Sequence, residues 1–331
     1  MINVSLKKLN NLKRKFIGKR VAVIGDLMLD SYFRGTVGRI SPEAPVPVVE
    51  IESEFNRFGG AMNVAYNILT LGGIPIPIGV IGNDNEGKVF RSLMHETGIS
   101  LRGIVVDKNR PTTTKTRVIA NKQHVVRIDR EKTTRISTQT EKKILELLKK
   151  EIKRLDAIIL EDYNKGVMTS SLIKKVIELA GKENIIVTVD PKFNNFFLYQ
   201  GTTVFKPNRK EIEDAFGIRM TSPEDITNAG YKILEKLNCK YALLTLGEEG
   251  IALFEKDKPE RRLPTKAQKV SDVSGAGDTV ISTLTMALTA GADIYDAAFL
   301  ANYAGGLVCQ EVGIVPIELT KLFNAVSEDL K

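Results

Sequence analysis

Asp272-Val273-Ser274-Gly275-Ala276-Gly277-Asp278-Thr279 precedes an apolar stretch of helical character near the end of this 331-residue chain. A Gly-x-Gly-Asp turn that opens a helix points several free backbone N–H groups at one spot, beside the positive end of the helix dipole. That spot suits a phosphoryl group gathering negative charge. Gly275, Ala276 and Gly277 therefore read as an anion hole, and Asp278 as a base that takes the proton of an incoming hydroxyl. These are the two parts a small-molecule kinase most needs. The competing reading makes Asp278 a helix cap with structural glycines beside it. The flanking Asp272-Val273-Ser274 and Thr279 favour catalysis.

Further out, Arg20–Gly25 is a short apolar run that delivers Asp26 at its end. The runs Ala157–Leu160, Ile185–Val189, Thr202–Phe205 and Tyr241–Leu244 alternate with helical patterns. They are unbroken rather than alternating, as expected of parallel strands covered on both faces. Polar residues follow each: Glu161-Asp162-Tyr163-Asn164-Lys165-Gly166, Asp190-Pro191-Lys192, Lys206-Pro207-Asn208 with Glu211, and Thr245-Leu246-Gly247. Ligands of open α/β sheets bind outside the carboxyl ends of the strands. Five such ends read as one rim, although a single acidic residue there is more often a helix cap. Thr138-Gln139-Thr140-Glu141 reads as a capping box. The expected fold is α/β: one doubly wound, mostly parallel domain over residues 1–331, with a small β-sheet lid from about 45–52 and 112–130.

Asn208 and Glu211 stand one helical turn apart, which suits a hydrated magnesium ion near nucleotide phosphates. The same pair also reads as a capping box. Gly59-Gly60 followed by Asn63 lets a small ligand approach the backbone and grips hydroxyls with an amide. Lys115, Arg117 and Arg127 in the expected hairpin read either as a phosphate-binding group or as solvated edge protection.

The chain is 43% hydrophobic and 27% charged, with two cysteines, two histidines and a formal charge of +8. No run of about 18 apolar residues suggests a membrane span. Met1–Arg20 is amphipathic, with Leu6, Leu9, Leu12 and Phe16 as an apolar stripe, and lacks the pattern of a secretory signal. Cys239 and Cys309 read as free core thiols in a reducing cytoplasm, and no zinc spacing exists. The lysines are scattered over helix faces without a stacking platform, which argues against nucleic acid as a partner.

On the Gly25-Asp26 strand, Gly59-Gly60 and the Val273–Thr279 signature, the chain resembles the ribokinase-like (PfkB) carbohydrate kinases over nearly its whole length. Gly25–Asp30, Arg39–Val48, Asp162–Gly166 and Lys115-x-Arg117 resemble most the branch acting on heptose 7-phosphate. The resemblance implies ATP-dependent phosphorylation of the anomeric C1 hydroxyl of D-glycero-β-D-manno-heptose 7-phosphate, toward ADP-heptose and the lipopolysaccharide core. Another sugar, sugar phosphate or nucleoside is the alternative acceptor. It implies that Lys206, Asn208, Arg209, Lys210, Glu211, Thr245, Gly247 and Asn302 serve ATP, with Glu211 holding Mg²⁺ largely through water. Asp26, Gly59, Gly60, Asn63, Lys115, Arg117, Arg127, Asp162 and Lys165 would hold the phosphosugar, and the lid would form a homodimer. Bifunctional proteins of this branch add a nucleotidyltransferase part with a His-x-Gly-His motif. His95 and His124 stand far apart, so a stand-alone cytoplasmic kinase is expected. An idle sugar-binding regulator is the rival outside catalysis, and the intact Asp278 argues against it.

Overall fold

The computed structural model describes residues 5–121, 123–266, 271–311 and 313–330, so Met1–Val4 of the expected N-terminal helix lie outside the described residues. Helix α1 (Leu6–Phe16) leads into β1 (Arg20–Gly25), β2 (Leu27–Ile40), β3 (Pro47–Gly60), α2 (Ala61–Thr70) and β4 (Ile74–Gly82). Then come α3 (Asn85–Glu96), β5 (Ile104–Asp107), β6 (Thr113–Ala120), β7 (Gln123–Arg130) and α4 (Thr138–Glu151). The alternation continues through β8 (Ala157–Glu161), α5 (Ser170–Lys182), β9 (Ile186–Asp190), β10 (Val204–Phe205), α6 (Arg209–Phe216) and α7 (Pro223–Leu237). Last are β11 (Tyr241–Thr245), β12 (Ile251–Glu255), β13 (Arg261–Leu263), α8 (Ala276–Thr289), α9 (Ile294–Val308) and α10 (Leu319–Asp329).

The strand alternation of side chains divides the interior in two. Along β1, Val21 and Val23 enter a core shared with α1, α2, α8, α9 and α10. Ala22 and Ile24 enter a second core with α4, α5 and α7. The main sheet has nine strands in the order β13-β12-β11-β10-β9-β8-β1-β4-β5. It is parallel from β5 to β11 and antiparallel at β12 and β13. The strand ends read from sequence therefore share one rim, with Asp26, Glu161, Asp190, Lys206 and Thr245 along it.

The lid is a second sheet of order β3-β2-β6-β7, larger than the sequence suggests. The expected strand at 45–52 is the beginning of β3, which runs on to Gly60. Its partner β2 was not foreseen; it pairs antiparallel with β3 and parallel with β6. Helix α4 also starts one residue earlier than read. Ser137 is its cap, accepting from Thr140 N–H at 3.1 Å, and the Glu141 carboxylate binds Thr169 and Lys175 instead.

Helix α7 meets β12 where Gly230 faces Phe254, and a Cβ at Gly230 would lie 2.5 Å from the ring carbons. Alanine gains up to about 1 kcal/mol in helix propensity, but overpacking a filled core costs about 1–3 kcal/mol. Gly230→Ala is therefore expected to lower stability in urea unfolding, and an unchanged or raised midpoint would refute this packing.

Candidate active site

Helix α8 begins at Gly275, whose φ of +78° is a conformation L side chains rarely adopt. The turn is tied by Asp272, which accepts from Ser274 N–H at 2.9 Å and Gly313 N–H at 3.0 Å. Gly277 and Asp278 fall in the first turn of α8, where backbone N–H groups have no intrahelical acceptor. Asp278 is only 4% exposed. Its Oδ2 accepts from Asn63 Nδ2 at 2.6 Å and its Oδ1 from the Tyr163 hydroxyl at 2.8 Å. Burial is the largest influence on this carboxyl and pushes its pKa up to about 6; the two donors and Lys206 oppose that, and Asp190 adds to it. A base so placed is ionised at neutral pH yet close enough to accept a proton.

Beside it, Lys206 is 2% exposed and its Nζ lies 2.8 Å from Asp190 Oδ2. Neighbouring Asp190 and Glu211 outweigh burial and raise this ammonium, so it stays charged. A cleft of about 970 Å³ opens over these groups. Gly275, Ala276, Gly277 and Asp278 line it together with Lys206, Asn208, Arg209, Lys210, Thr245, Gly247 and Asn302. The sequence thus brings its expected nucleotide residues to one place. Several of those side chains are already engaged: Asn302 Nδ2 donates to Pro264 O at 2.7 Å, the Arg209 guanidinium binds Met220 O and Glu249, and Lys210 pairs with Asp214 at 3.2 Å.

Of the two expected readings of Asn208 and Glu211, the capping box is the one formed here. Asn208 Oδ1 accepts from Glu211 N–H at 2.9 Å, Glu211 Oε2 accepts from Asn208 N–H at 2.8 Å, and Glu211 Oε1 pairs with Lys192. The geometry is that of the capping box, with both carboxylate oxygens engaged. A better donor set for a cation is Glu161, Asp190 and Asp278, whose ligand atoms all lie within 4.8 Å of one another. Glu161 is fully buried and neither of its carboxylate oxygens has a hydrogen-bond partner. Such an orphaned carboxylate fits Mg²⁺, a hard ion taking oxygen ligands. Sequence reading put Glu161 on the rim without assigning it a ligand.

The lid carries its own cluster of charged and aromatic side chains. Opposed residues of its strands place Asp30, Arg57 and Lys115 in one row and Tyr32, Phe55 and Arg117 in the next. Arg117 Nη1 bonds Asp30 Oδ1 at 2.6 Å, and Asp30 is nearly buried. Arg57 donates to Ile314 O, and Arg57 and Arg117 lie over the Tyr32 ring. Lys115 Nζ sits 5.5 Å from the centre of the Tyr163 ring, and burial pulls its pKa below the usual value. Asp30 and Arg57 were missed, though Asp30 closes the Gly25–Asp30 segment, because β2 was not recognised as a strand.

Four expected sugar contacts are otherwise employed. Asp26 accepts from the backbone N–H of Tyr163, Lys165 and Val167 at 2.8, 3.1 and 3.1 Å. It fastens the loop after β8 and is not an open ligand. Burial, then nearby Asp162, raises its pKa to about 6 against the pull of those amides. Asp162 is held by Asn164 N–H, Asn195 and Tyr199, within the fold. The Lys165 ammonium pairs with Glu131 at 2.7 Å. Arg127 lies on exposed β7, bidentate on Asp129 at 2.9 and 3.0 Å.

With this geometry in view, the chain belongs to the pfkB family of carbohydrate kinases, whose sequence profile matches residues 19–320. It is a phosphotransferase of a family that uses ATP. Among curated relatives it is 44% identical over 304 residues to the bifunctional protein HldE of Geobacter sulfurreducens, covering 92% of this chain and 62% of that protein. The HldE protein of Helicobacter hepaticus is 40% identical over 294 residues, covering 89% of this chain and 61% of that one. The chain thus spans less than two thirds of these relatives. The fold matches Arabidopsis thaliana ribokinase complexed with ribose and ATP, at TM-score 0.73 and 20% identity, covering 93% of this chain and 98% of that one. Escherichia coli phosphofructokinase-2 with fructose-6-phosphate gives TM-score 0.74 at 17% identity, covering 94% and 99%.

At Gly59, an added Cβ would overlap Asp30 Oδ2 and lie 3.0 Å from its Cγ. Gly59→Ala is expected to push Asp30 off Arg117 and raise the sugar KM roughly 10-fold, the worth of one charge-assisted hydrogen bond. Unchanged steady-state KM would show that Asp30 does not contribute to sugar binding.

Proposed function

We propose that this chain transfers the γ-phosphoryl group of ATP to the anomeric C1 hydroxyl of D-glycero-β-D-manno-heptose 7-phosphate, as a step toward ADP-heptose and the lipopolysaccharide core. The observation that carries the chemistry is the Asp278 carboxylate, buried at the start of α8 and gripped by Asn63 and Tyr163. Asp278 takes the hydroxyl proton as the sugar oxygen attacks. The N–H groups of Gly277 and Asp278, with the Lys206 ammonium, stabilise charge on the transferring group. Thr245, Gly247 and Asn208 border the nucleotide in the cleft of α8. Glu161 and Asp190 would hold Mg²⁺, which shields phosphate charge when bound.

The choice of acceptor rests on likeness to HldE proteins and on the lid. Arg57, Lys115 and Arg117 gather cationic charge on two adjacent rows of the lid, suited to a substrate already bearing a phosphate. Exposed Ile51, Val126 and Ile128 on the lid support its pairing with a second lid in a homodimer. Among the described residues no helix is long and apolar enough to cross a membrane, and we place the enzyme in the cytoplasm.

Asp278→Asn is expected to lower turnover by roughly 10²–10⁴-fold in a coupled ATP assay; near-normal turnover would remove the base. Lys115→Ala and Arg117→Ala should each weaken use of heptose 7-phosphate by about 10-fold or more while sparing unphosphorylated heptose. Equal losses on both sugars would sink the phosphate-binding role. A panel of phosphorylated and free sugars tests the acceptor itself, and preference for a different one would overturn the heptose reading.

A further inference from the structure

We propose that Tyr163 is a positioning residue of the transfer step, which locks the Asp278 carboxylate in the attitude needed to take the substrate proton. The proposal rests on Asp278 acting as the base. The Tyr163 hydroxyl donates to Asp278 Oδ1 at 2.8 Å while Asn63 Nδ2 donates to Oδ2 at 2.6 Å. The torsion that turns a carboxylate about its Cβ–Cγ bond is ordinarily broad. A donor on each oxygen removes that freedom. Each oxygen keeps a further lone pair, so an incoming hydroxyl still finds an acceptor.

Tyr163 is itself tied at both ends. Its backbone N–H donates to Asp26 Oδ2 at 2.8 Å, which gives that buried carboxylate its purpose. Its ring is approached by two ammonium groups, Lys115 Nζ at 5.5 Å and Lys192 Nζ at 5.2 Å from the centroid. Lys192 follows β9 and is fixed by Glu211, whereas Lys115 belongs to lid strand β6. Lys192 from the sheet and Lys115 from the lid thus flank the ring.

Tyr163→Phe keeps the ring and removes one oxygen. Tyr199→Phe is the control: Tyr199 is fully buried, more so than Tyr163, and its hydroxyl donates to a carboxylate in the same region, Asp162 at 2.7 Å, inside the fold. Steady-state kinetics are read with whichever sugar the unmodified enzyme phosphorylates, so rejection of heptose 7-phosphate would overturn the acceptor alone. For Tyr163→Phe, kcat should fall about 10-fold or more with sugar KM within ~2-fold. Tyr199→Phe should keep kcat while its melting temperature falls at least as far as that of Tyr163→Phe. Wild-type kcat in Tyr163→Phe, a loss confined to KM, or an equal kcat loss in Tyr199→Phe would overturn the proposal.

Discussion

Keeping a carboxylate charged out of water is the constraint around which this molecule is built. Removing such a group from solvent costs several kcal/mol even after relaxation, and here Asp190 and Asp278 sit with little access to water. The compensation is drawn from every layer: the start of α8, the Asn63 amide from α2, the Tyr163 hydroxyl from the loop after β8, and Lys206 at the end of β10. Hydrogen bonds to charged groups contribute about 1.5–3 kcal/mol each. No single element supplies enough, so the site exists only when both cores are assembled.

That dependence explains why the chain devotes polar residues to holding other polar residues. Asp26 fastens the loop that presents Tyr163 through backbone amides, and Asp162 ties Asn195 and Tyr199 into the fold. Asn208 and Glu211 cap α6, and Glu211 then steadies Lys192. Groups that look like ligands in the sequence are often the supports of ligands. The cleft keeps its shape because these supports are themselves saturated.

The fold was largely legible because parallel strands covered on both faces are continuous apolar runs. Arg20–Gly25, Ala157–Glu161, Ile186–Asp190 and Tyr241–Thr245 all announce themselves in that way. Strand β2 did not, since Asp30, Tyr32 and Arg34 share a face with charged neighbours rather than with a core. The signature turn was legible because glycines beside an acid at a helix start have few other uses. What the sequence withheld was which carboxylates are open. Asp26 and Asp30 lie close together on the chain, and only remote segments separate them: the amides of the β8 loop engage the first, Arg117 the second. Asn208 and Glu211 posed the same problem, because one spacing serves both a helix cap and a cation-holding pair.

The lid is made of two excursions from the α/β alternation, β2–β3 between β1 and α2, and β6–β7 between β5 and α4. Asp190, Lys206 and Asp278 sit at the sheet rim and on α8, whereas Arg57, Lys115 and Arg117 ride on the excursions. With the two separated in this way, a change in the alcohol accepted would fall on two insertions and leave the sheet and α8 beneath them in place.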